Sequence, residues 1–132
     1  MKREKKMKEK NVYTLDKDDD RAVQLFSKLG MPKNLAKTLL YISHFNECKC
    51  ADIEQATDMR QPEVSIAMQE LYRRGWVQKR DLKQKGKGRP VRIYKPTTRL
   101  SEILKIVEQE KLQEVKNLKN DISLLKNIIK NK

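Results

Sequence analysis

The segment 44–52, HFNECKCAD, carries the side chains best suited to chemistry in this chain. His44, Cys48 and Cys50 supply an imidazole and two thiols, which soft or borderline metal ions prefer as ligands. Neighbouring thiols can also respond to oxidation. The simpler interpretation is two small residues in a turn between helices and a histidine near a helix end. One residue separates the cysteines, a spacing poorly suited to a structural disulfide, so we expect reduced thiols.

The other chemistry-bearing residues form no catalytic pattern. The chain has a single histidine, and it lacks both a GxxxxGKS/T phosphate loop and a plausible combination of serine, histidine and acid. The run Gly86-Lys87-Gly88 is too short to serve as a nucleotide loop. We therefore predict a protein that is not an enzyme and has no cofactor.

The charge of the chain predicts the binding of an acidic polymer. Its 132 residues carry a formal net charge of +13. Such an excess favours nucleic acid over a membrane surface, because a membrane-surface helix would show exposed aromatics. Aromatic residues make up only 5% of the chain, which argues against binding of single strands by base stacking.

Residues 60–76, RQPEVSIAMQELYRRGW, have the pattern of an amphipathic helix that ends at Gly75. One face carries apolar residues at the spacing i, i+3, i+4, i+7 and is predicted to be buried. Its members are Val64, Ala67, Met68 and Leu71. The opposite face consists of Pro62, Ser65, Ile66, Gln69 and Arg73. Because the middle of that face has no carboxylate, a polyanion can approach it.

Shorter helical patterns come before this helix. Acids at 16–20 precede a first helix that ends at Gly30, where they favour the positive end of the helix dipole. A second helix is expected to begin at Pro32 and to have one broad buried face that extends to Phe45. A third helix covers 51–57. A turn of about four residues, 58–61, then leads into the amphipathic helix, and this combination predicts a helix-turn-helix unit.

The pattern changes after Gly75 to two short β-rich runs around a glycine-bearing loop, 85–90, which predicts a hairpin. Residues 79–95 contain eight Lys or Arg and one Asp. A loop whose glycines let its backbone approach a phosphate, and which carries this many cations, is expected to form a basic wing.

A final helix is predicted from a cap at Thr97 or Thr98 to about Ile129, roughly 45 Å at 1.5 Å per residue. Its apolar residues form two heptad blocks joined by a stutter. They are Leu100, Leu104, Val107, Val115, Leu118, Ile122, Leu125 and Ile129. A small domain cannot bury this stripe, so we expect the helix to form a homodimer with a second copy. Either a parallel or an antiparallel pairing is compatible with the pattern.

These segments define the expected organisation of the chain. Residues 1–15 form a basic tail that is either disordered or an arm that adds phosphate contacts. Residues 16–97 form the compact domain, and 98–132 the dimerisation helix. No apolar run approaches the roughly 20 residues of a membrane span, and no apolar signal core follows the basic N-terminus. We therefore expect a cytoplasmic protein.

The run Gln61-Pro62-x-Val64-Ser65, followed by Leu71, Gly75 and Val77, resembles the third helix of winged helix-turn-helix regulators. It is similar to the MarR, ArsR and archaeal TrmB-like families, and the resemblance covers roughly 22–97. It implies a mainly α fold with a small β-hairpin, and a transcriptional regulator whose third helix enters the major groove of double-stranded DNA. The chain departs from these families at Arg60, where they often carry Ser or Thr as the helix cap.

Base edges and phosphates are then expected to be contacted by different residues. Ser65, Ile66 and Gln69 are the candidates for reading sequence, while the wing lysines contact phosphates and Arg89 enters the minor groove. The full predicted set is Arg60, Gln61, Pro62, Glu63, Ser65, Ile66, Gln69, Arg73, Lys83, Lys85, Lys87 and Arg89.

Two alternatives stand beside this prediction. The sequence Glu-Cys-x-Cys followed by Asp is similar to the metal box of ArsR-type sensors, although Asp52 lies one residue further along and Lys49 separates the thiols. A sensor would change its DNA affinity with metal or oxidation through His44, Cys48 and Cys50. The other alternative is an interaction adaptor that uses its coiled coil.

Overall fold

The computed structural model describes residues 15–82 and 91–132. Two predictions lie outside this part of the chain: the basic tail, apart from its last residue, and the tip of the wing. The elements are α1 (Lys17–Lys28), α2 (Lys33–Ile42), α3 (Cys50–Ala56), α4 (Gln61–Arg73), β1 (Val77–Leu82), β2 (Val91–Pro96) and α5 (Leu100–Lys130). The predicted fold class, a mainly α winged helix-turn-helix domain followed by a long helix, is confirmed.

The chain divides into an N-terminal unit, Met1–Leu100, and a C-terminal unit, Ser101–Lys132. Within the N-terminal unit, α2 packs against α1, α3 and α4. Nearly its whole circumference is buried, including Leu39, Tyr41 and Ile42. This helix is therefore the centre of the core against which α1, α3 and α4 pack.

Local sequence fixes where the first helices begin and end. The Asp16 carboxylate accepts a hydrogen bond from the Asp19 backbone N–H at 2.9 Å, and the Asp19 carboxylate accepts one from Asp16 at 3.0 Å. This reciprocal capping box satisfies two donors that a helix N-terminus otherwise leaves unpaired. Helix α2 begins after Pro32, as predicted, but it ends at Ile42, so that Phe45 is buried outside the helix rather than on it.

Helix α4 buries the predicted apolar face and ends at a glycine. Gly75 has a φ of 81°, and the backbone N–H groups of Gly75 and Trp76 donate to the carbonyls of Tyr72 and Leu71 at 2.9 and 3.0 Å. This pair of bonds is a Schellman motif. It turns the chain into β1, whose first residue Val77 is buried.

The two strands are antiparallel, with Val77 opposite Pro96 and Leu82 opposite Val91. The other edge of β2 is occupied as well. Cys48 donates its N–H to the Tyr94 carbonyl at 2.9 Å, and Tyr94 donates its N–H to the Cys48 carbonyl at 2.8 Å. These two hydrogen bonds join the turn between α2 and α3 to strand β2 of the wing. This connection was not predicted from the sequence.

The C-terminal unit continues α5, whose 31 residues closely match the predicted final helix. The predicted cap residue Thr97 is used differently, because its hydroxyl donates to the Gly75 carbonyl at 2.6 Å. Ile103 and Val107 are buried, whereas the large apolar residues that follow are exposed. In the described part of the chain, no helix is long and apolar enough to cross a membrane.

Candidate nucleic-acid interface

The exposed face of α4 holds the three residues that were predicted to read bases. Ile66 is 67% exposed, Gln69 is exposed and Ser65 is half-buried. The Gln69 amide donates to the Ser65 hydroxyl at 3.4 Å across one helical turn. On the opposite face Val64, Ala67, Met68 and Leu71 are at most 4% exposed. The packing of this buried face against the core therefore sets the direction in which Ser65, Ile66 and Gln69 face.

The first turn of α4 is capped by an acid instead of a hydroxyl. Arg60 occupies the cap position, and its backbone N–H donates to the Glu63 carboxylate at 2.8 Å. An arginine side chain has no acceptor, so Glu63 supplies the side-chain bond at this end. This explains how the helix begins without the expected Ser or Thr, and it engages a carboxylate that was also predicted to contact DNA. The neighbouring Gln61 and Pro62 are exposed.

The last turn of α4 concentrates charge around Glu70. Arg73 donates to its carboxylate through Nε at 2.9 Å, and Arg74 through Nε at 2.7 Å. These hydrogen bonds, that from Arg73 first, lower the pKa of Glu70 to about 2. The Arg74 guanidinium also lies over the Trp76 ring, 5.1 Å from its centroid. Two arginines thus share the one carboxylate of Glu70. Of these two, only Arg73 was predicted from the sequence to contact DNA.

A groove of about 610 Å³ opens beside this helix end. Its lining residues are Tyr72, Arg73, Gly75, Val77, Gln78, Lys79 and Thr97. The Lys79 ammonium lies 4.2 Å from the centroid of the Tyr72 ring, an arrangement in which a cation is attracted to the ring face. Two cations therefore border a concave surface between the helix and the base of the wing. Lys79 falls within the predicted wing but was not among the predicted contact residues.

Strands β1 and β2 carry the wing, whose predicted phosphate contacts Lys83, Lys85, Lys87 and Arg89 lie outside the described residues. Two arginines at its base are paired with acids. Arg80 contacts Glu47 at 2.7 Å, and Arg92 contacts Asp81 on the opposite strand at 3.2 Å. Exposed pairs of this kind contribute little stability.

Burial differs between the two cysteines and raises the pKa of both thiols. Cys48 is 2% exposed, and burial raises the pKa of its thiol to about 12. Burial also raises the pKa of Cys50, which is half-buried. The reactive and metal-binding form of cysteine is the thiolate, and a raised pKa disfavours it. His44 Nε2 lies 3.8 Å from a carboxylate oxygen of Asp19.

No group of three or more His, Cys, Asp or Glu side chains within 15–82 and 91–132 is placed to hold a metal ion. The metal alternative built on His44, Cys48 and Cys50 therefore gains no support from the geometry. Cys48 has instead a structural position, in the backbone bridge to β2.

Comparison with known proteins gives a structural likeness without a sequence relative. No protein-family model matches the chain, and no curated protein matches its sequence. Among solved structures, the chain is similar to TrmBL2, described as an archaeal chromatin protein whose structure shows a novel mode of DNA binding. The TM-score is 0.62 at 18% identity, over 85% of this chain and 40% of that chain. This chain thus spans less than half the length of that protein, and at this identity the likeness concerns the fold.

Proposed function

We propose that the protein is a sequence-specific regulator of transcription that inserts α4 into the major groove of double-stranded DNA. The observation that carries the proposal is the strip of Ser65, Ile66 and Gln69 on α4, whose opposite face is buried. Arg73 and Lys79 line a groove at the C-terminal end of the same helix. A helix of this width enters the major groove, where each base pair presents a distinct pattern of donors and acceptors.

Each side chain of the strip has a partner chemistry in that groove. The Gln69 amide can bond an adenine edge through two hydrogen bonds, and Ile66 can contact a thymine methyl. Ser65 can bond either a base or a phosphate. Glu63, which caps the helix, retains acceptor capacity for a cytosine amino group. Contact with DNA would remove the exposed apolar surface of Ile66 from water, which is favourable.

Phosphate contacts are assigned to the cations around the strip. Arg73 and Lys79 border the groove at the end of α4, and Lys83, Lys85, Lys87 and Arg89 extend the charge along the wing. If each protomer neutralises about four phosphates, a dimer neutralises about eight. The logarithm of the binding constant then falls with the logarithm of salt concentration with a slope near −7.

The dimer itself is part of this proposal. Leu118, Ile122, Leu125 and Ile129 are each more than half exposed along α5, and a second copy of the helix offers the same stripe. A dimer with two-fold symmetry reads a pseudo-palindromic site whose half-sites lie about one helical turn apart.

Recovery of bound fragments from sheared genomic DNA at about 0.15 M salt, an ionic strength at which surface charges are partly screened, tests the proposal. A few enriched fragments that share an inverted repeat upstream of genes are expected. The control is Gln69→Ala, which should lose enrichment while keeping bulk DNA binding, because a bidentate base contact provides about 1–3 kcal/mol of discrimination.

Uniform recovery of genomic DNA would contradict sequence-specific regulation. It would support a second candidate function, a chromatin-like protein that coats DNA through charge. Two observations favour this candidate: the net charge of +13 and the likeness to TrmBL2, which is described as a chromatin protein. The Gln69→Ala control would then bind as the unaltered protein does.

A further inference from the structure

We propose that residues 114–129 pair with the same residues of a second copy as a parallel, in-register, two-stranded coiled coil. This inference rests on the dimer proposed above. It adds the direction of the two helices and their register.

The seam of this coiled coil follows from the heptad spacing of exposed apolar residues. Val115, Ile122 and Ile129 recur every seven residues and take heptad position a. Leu118 and Leu125 take position d. All five side chains are between 47% and 62% exposed in a single chain. β-Branched residues at a with leucine at d favour two strands in a parallel pair.

Charged residues beside the seam determine its direction. The acids Glu114 and Asp121 occupy successive g positions, immediately before Val115 and Ile122. The lysines Lys119 and Lys126 occupy the e positions, immediately after the two leucines. Each flank of the seam thus carries charges of one sign over these two heptads, and charges at e and g select the orientation of a coiled coil.

In a parallel, in-register pair, each g residue faces the e residue of the following heptad in the partner helix. Glu114 then meets a lysine at 119, and Asp121 meets a lysine at 126, so that the facing charges are opposite. In an antiparallel pair g faces g and e faces e, which places acid beside acid and lysine beside lysine. The same four residues therefore attract each other in one direction and repel in the other.

The parallel direction has a consequence for DNA binding. Each chain enters α5 at Leu100, directly from its N-terminal unit. Parallel helices therefore begin at the same end, and both N-terminal units are joined to that end. A single short DNA segment with an inverted repeat can then engage both copies.

The variant Lys119→Glu with Asp121→Lys tests the direction without changing net charge. After the two substitutions, positions 114 and 119 are both acidic, and positions 121 and 126 are both basic. Parallel helices then face like charges, whereas antiparallel helices gain opposite ones. By sedimentation velocity of the full chain, we expect the dimer dissociation constant to rise at least tenfold. The matched control, Glu110→Lys with Lys116→Glu, exchanges charges away from the seam and should leave the constant within twofold.

An unchanged or smaller dissociation constant in the seam variant would overturn the parallel direction while leaving the dimer in place. A full chain that stays monomeric at high concentration would overturn the dimer itself. A species larger than a dimer would overturn the two-stranded state. As a second measurement, Lys132→Cys in a Cys50→Ser background should form an intermolecular disulfide readily, because parallel helices bring their C-terminal ends together. A dimer that fails to form this cross-link would also overturn the proposal.

Discussion

Glu70 is the residue of α4 whose ion pairs bear most directly on the proposed DNA contacts. Its carboxylate accepts hydrogen bonds from Arg73 and Arg74 at the C-terminal end of the helix. In the proposed complex, a phosphate that reaches this end of the helix competes with Glu70 for both guanidinium groups. Under the proposed function, this acid lowers the contribution of the two arginines to DNA affinity.

The variant Glu70→Gln should bind non-specific duplex DNA more tightly than the unaltered protein, by severalfold at low salt. The change removes a negative charge beside the DNA and releases the arginines, so the salt dependence should steepen by about 0.9 for each additional phosphate contacted. Fluorescence anisotropy across a salt series measures both quantities. Glu102→Gln, on the first turn of α5, changes the charge equally and is the control. Equal affinity of Glu70→Gln and the unaltered protein would show that the arginines are not restrained by the acid.

Cys48 is predicted to make the domain sensitive to alkaline pH. An unfolded thiol has a pKa near the reference value of 9.0, whereas burial raises the pKa of Cys48 in the folded chain to about 12. The folded state therefore binds one more proton between these values, and stability that is fully present below pH 9 is lost as pH rises. The loss is of the order of 1.4 kcal/mol per pH unit.

Urea unfolding at several pH values between 8 and 12 measures this loss. The variant Cys48→Ala removes the titrating group, so its free energy of unfolding should fall less steeply with pH. Burial raises the pKa of Tyr41 as well, and its contribution remains in the variant. Parallel curves for the two proteins would contradict the assignment.

At the scale of elements, the junction between α4 and β1 depends on Gly75. Its φ of 81° lies in the left-handed region, and a Cβ added there would meet nothing within 4 Å. A substitution is therefore opposed by backbone conformation and not by lack of space. We expect Gly75→Ala to lower the free energy of unfolding by about 1–2 kcal/mol, and Gly75→Asn to lower it less, because asparagine tolerates this conformation. Urea denaturation ranks the three proteins, and an alanine variant as stable as glycine would contradict the expectation.

The elements themselves follow from local pattern. The period of Val64, Ala67, Met68 and Leu71 predicted which face of α4 is buried, because a helix repeats every 3.6 residues and only one face can contact the core. Gly30 and Gly75 marked helix ends for a local reason too, since both have positive φ. Phe45 shows where such reasoning fails. Its apolar side chain fits the helical period and is buried, but the helix ends before it, at Ile42.

Contacts between distant segments could not be predicted in the same way. The bridge between Cys48 and Tyr94 joins backbone groups 46 positions apart, and backbone hydrogen bonds leave no trace in side-chain type. Two cysteines in a turn therefore suggested metal chemistry, although one of them belongs to an edge contact of the wing. The cation pairing of Glu70 had a local signal, its spacing of three and four residues from two arginines. The residues expected to contact DNA remain predictions.

At the scale of the whole molecule, the salt dependence of the proposed DNA binding depends on how many protomers contact the DNA at the same time. In the proposed complex, one protomer neutralises about four phosphates, and the counterions released scale with the phosphates neutralised. Self-association through α5 would therefore change the salt dependence of binding, a quantity that is independent of which bases are read.

A double substitution on the seam, Leu118→Glu with Leu125→Glu, should separate the two protomers of the proposed dimer. Both leucines are at least 55% exposed in a single chain, so the N-terminal unit should stay folded, as its circular dichroism would report. The facing glutamates repel, and the slope of log K against log salt should fall in magnitude from about 7 to about 4, because half as many phosphates are neutralised. Leu124→Glu, equally exposed but off the seam, controls for an added acid and should keep the steeper slope. A slope that stays near 7 in the double variant would mean that one protomer makes all the phosphate contacts, and DNA binding would not depend on the coiled coil.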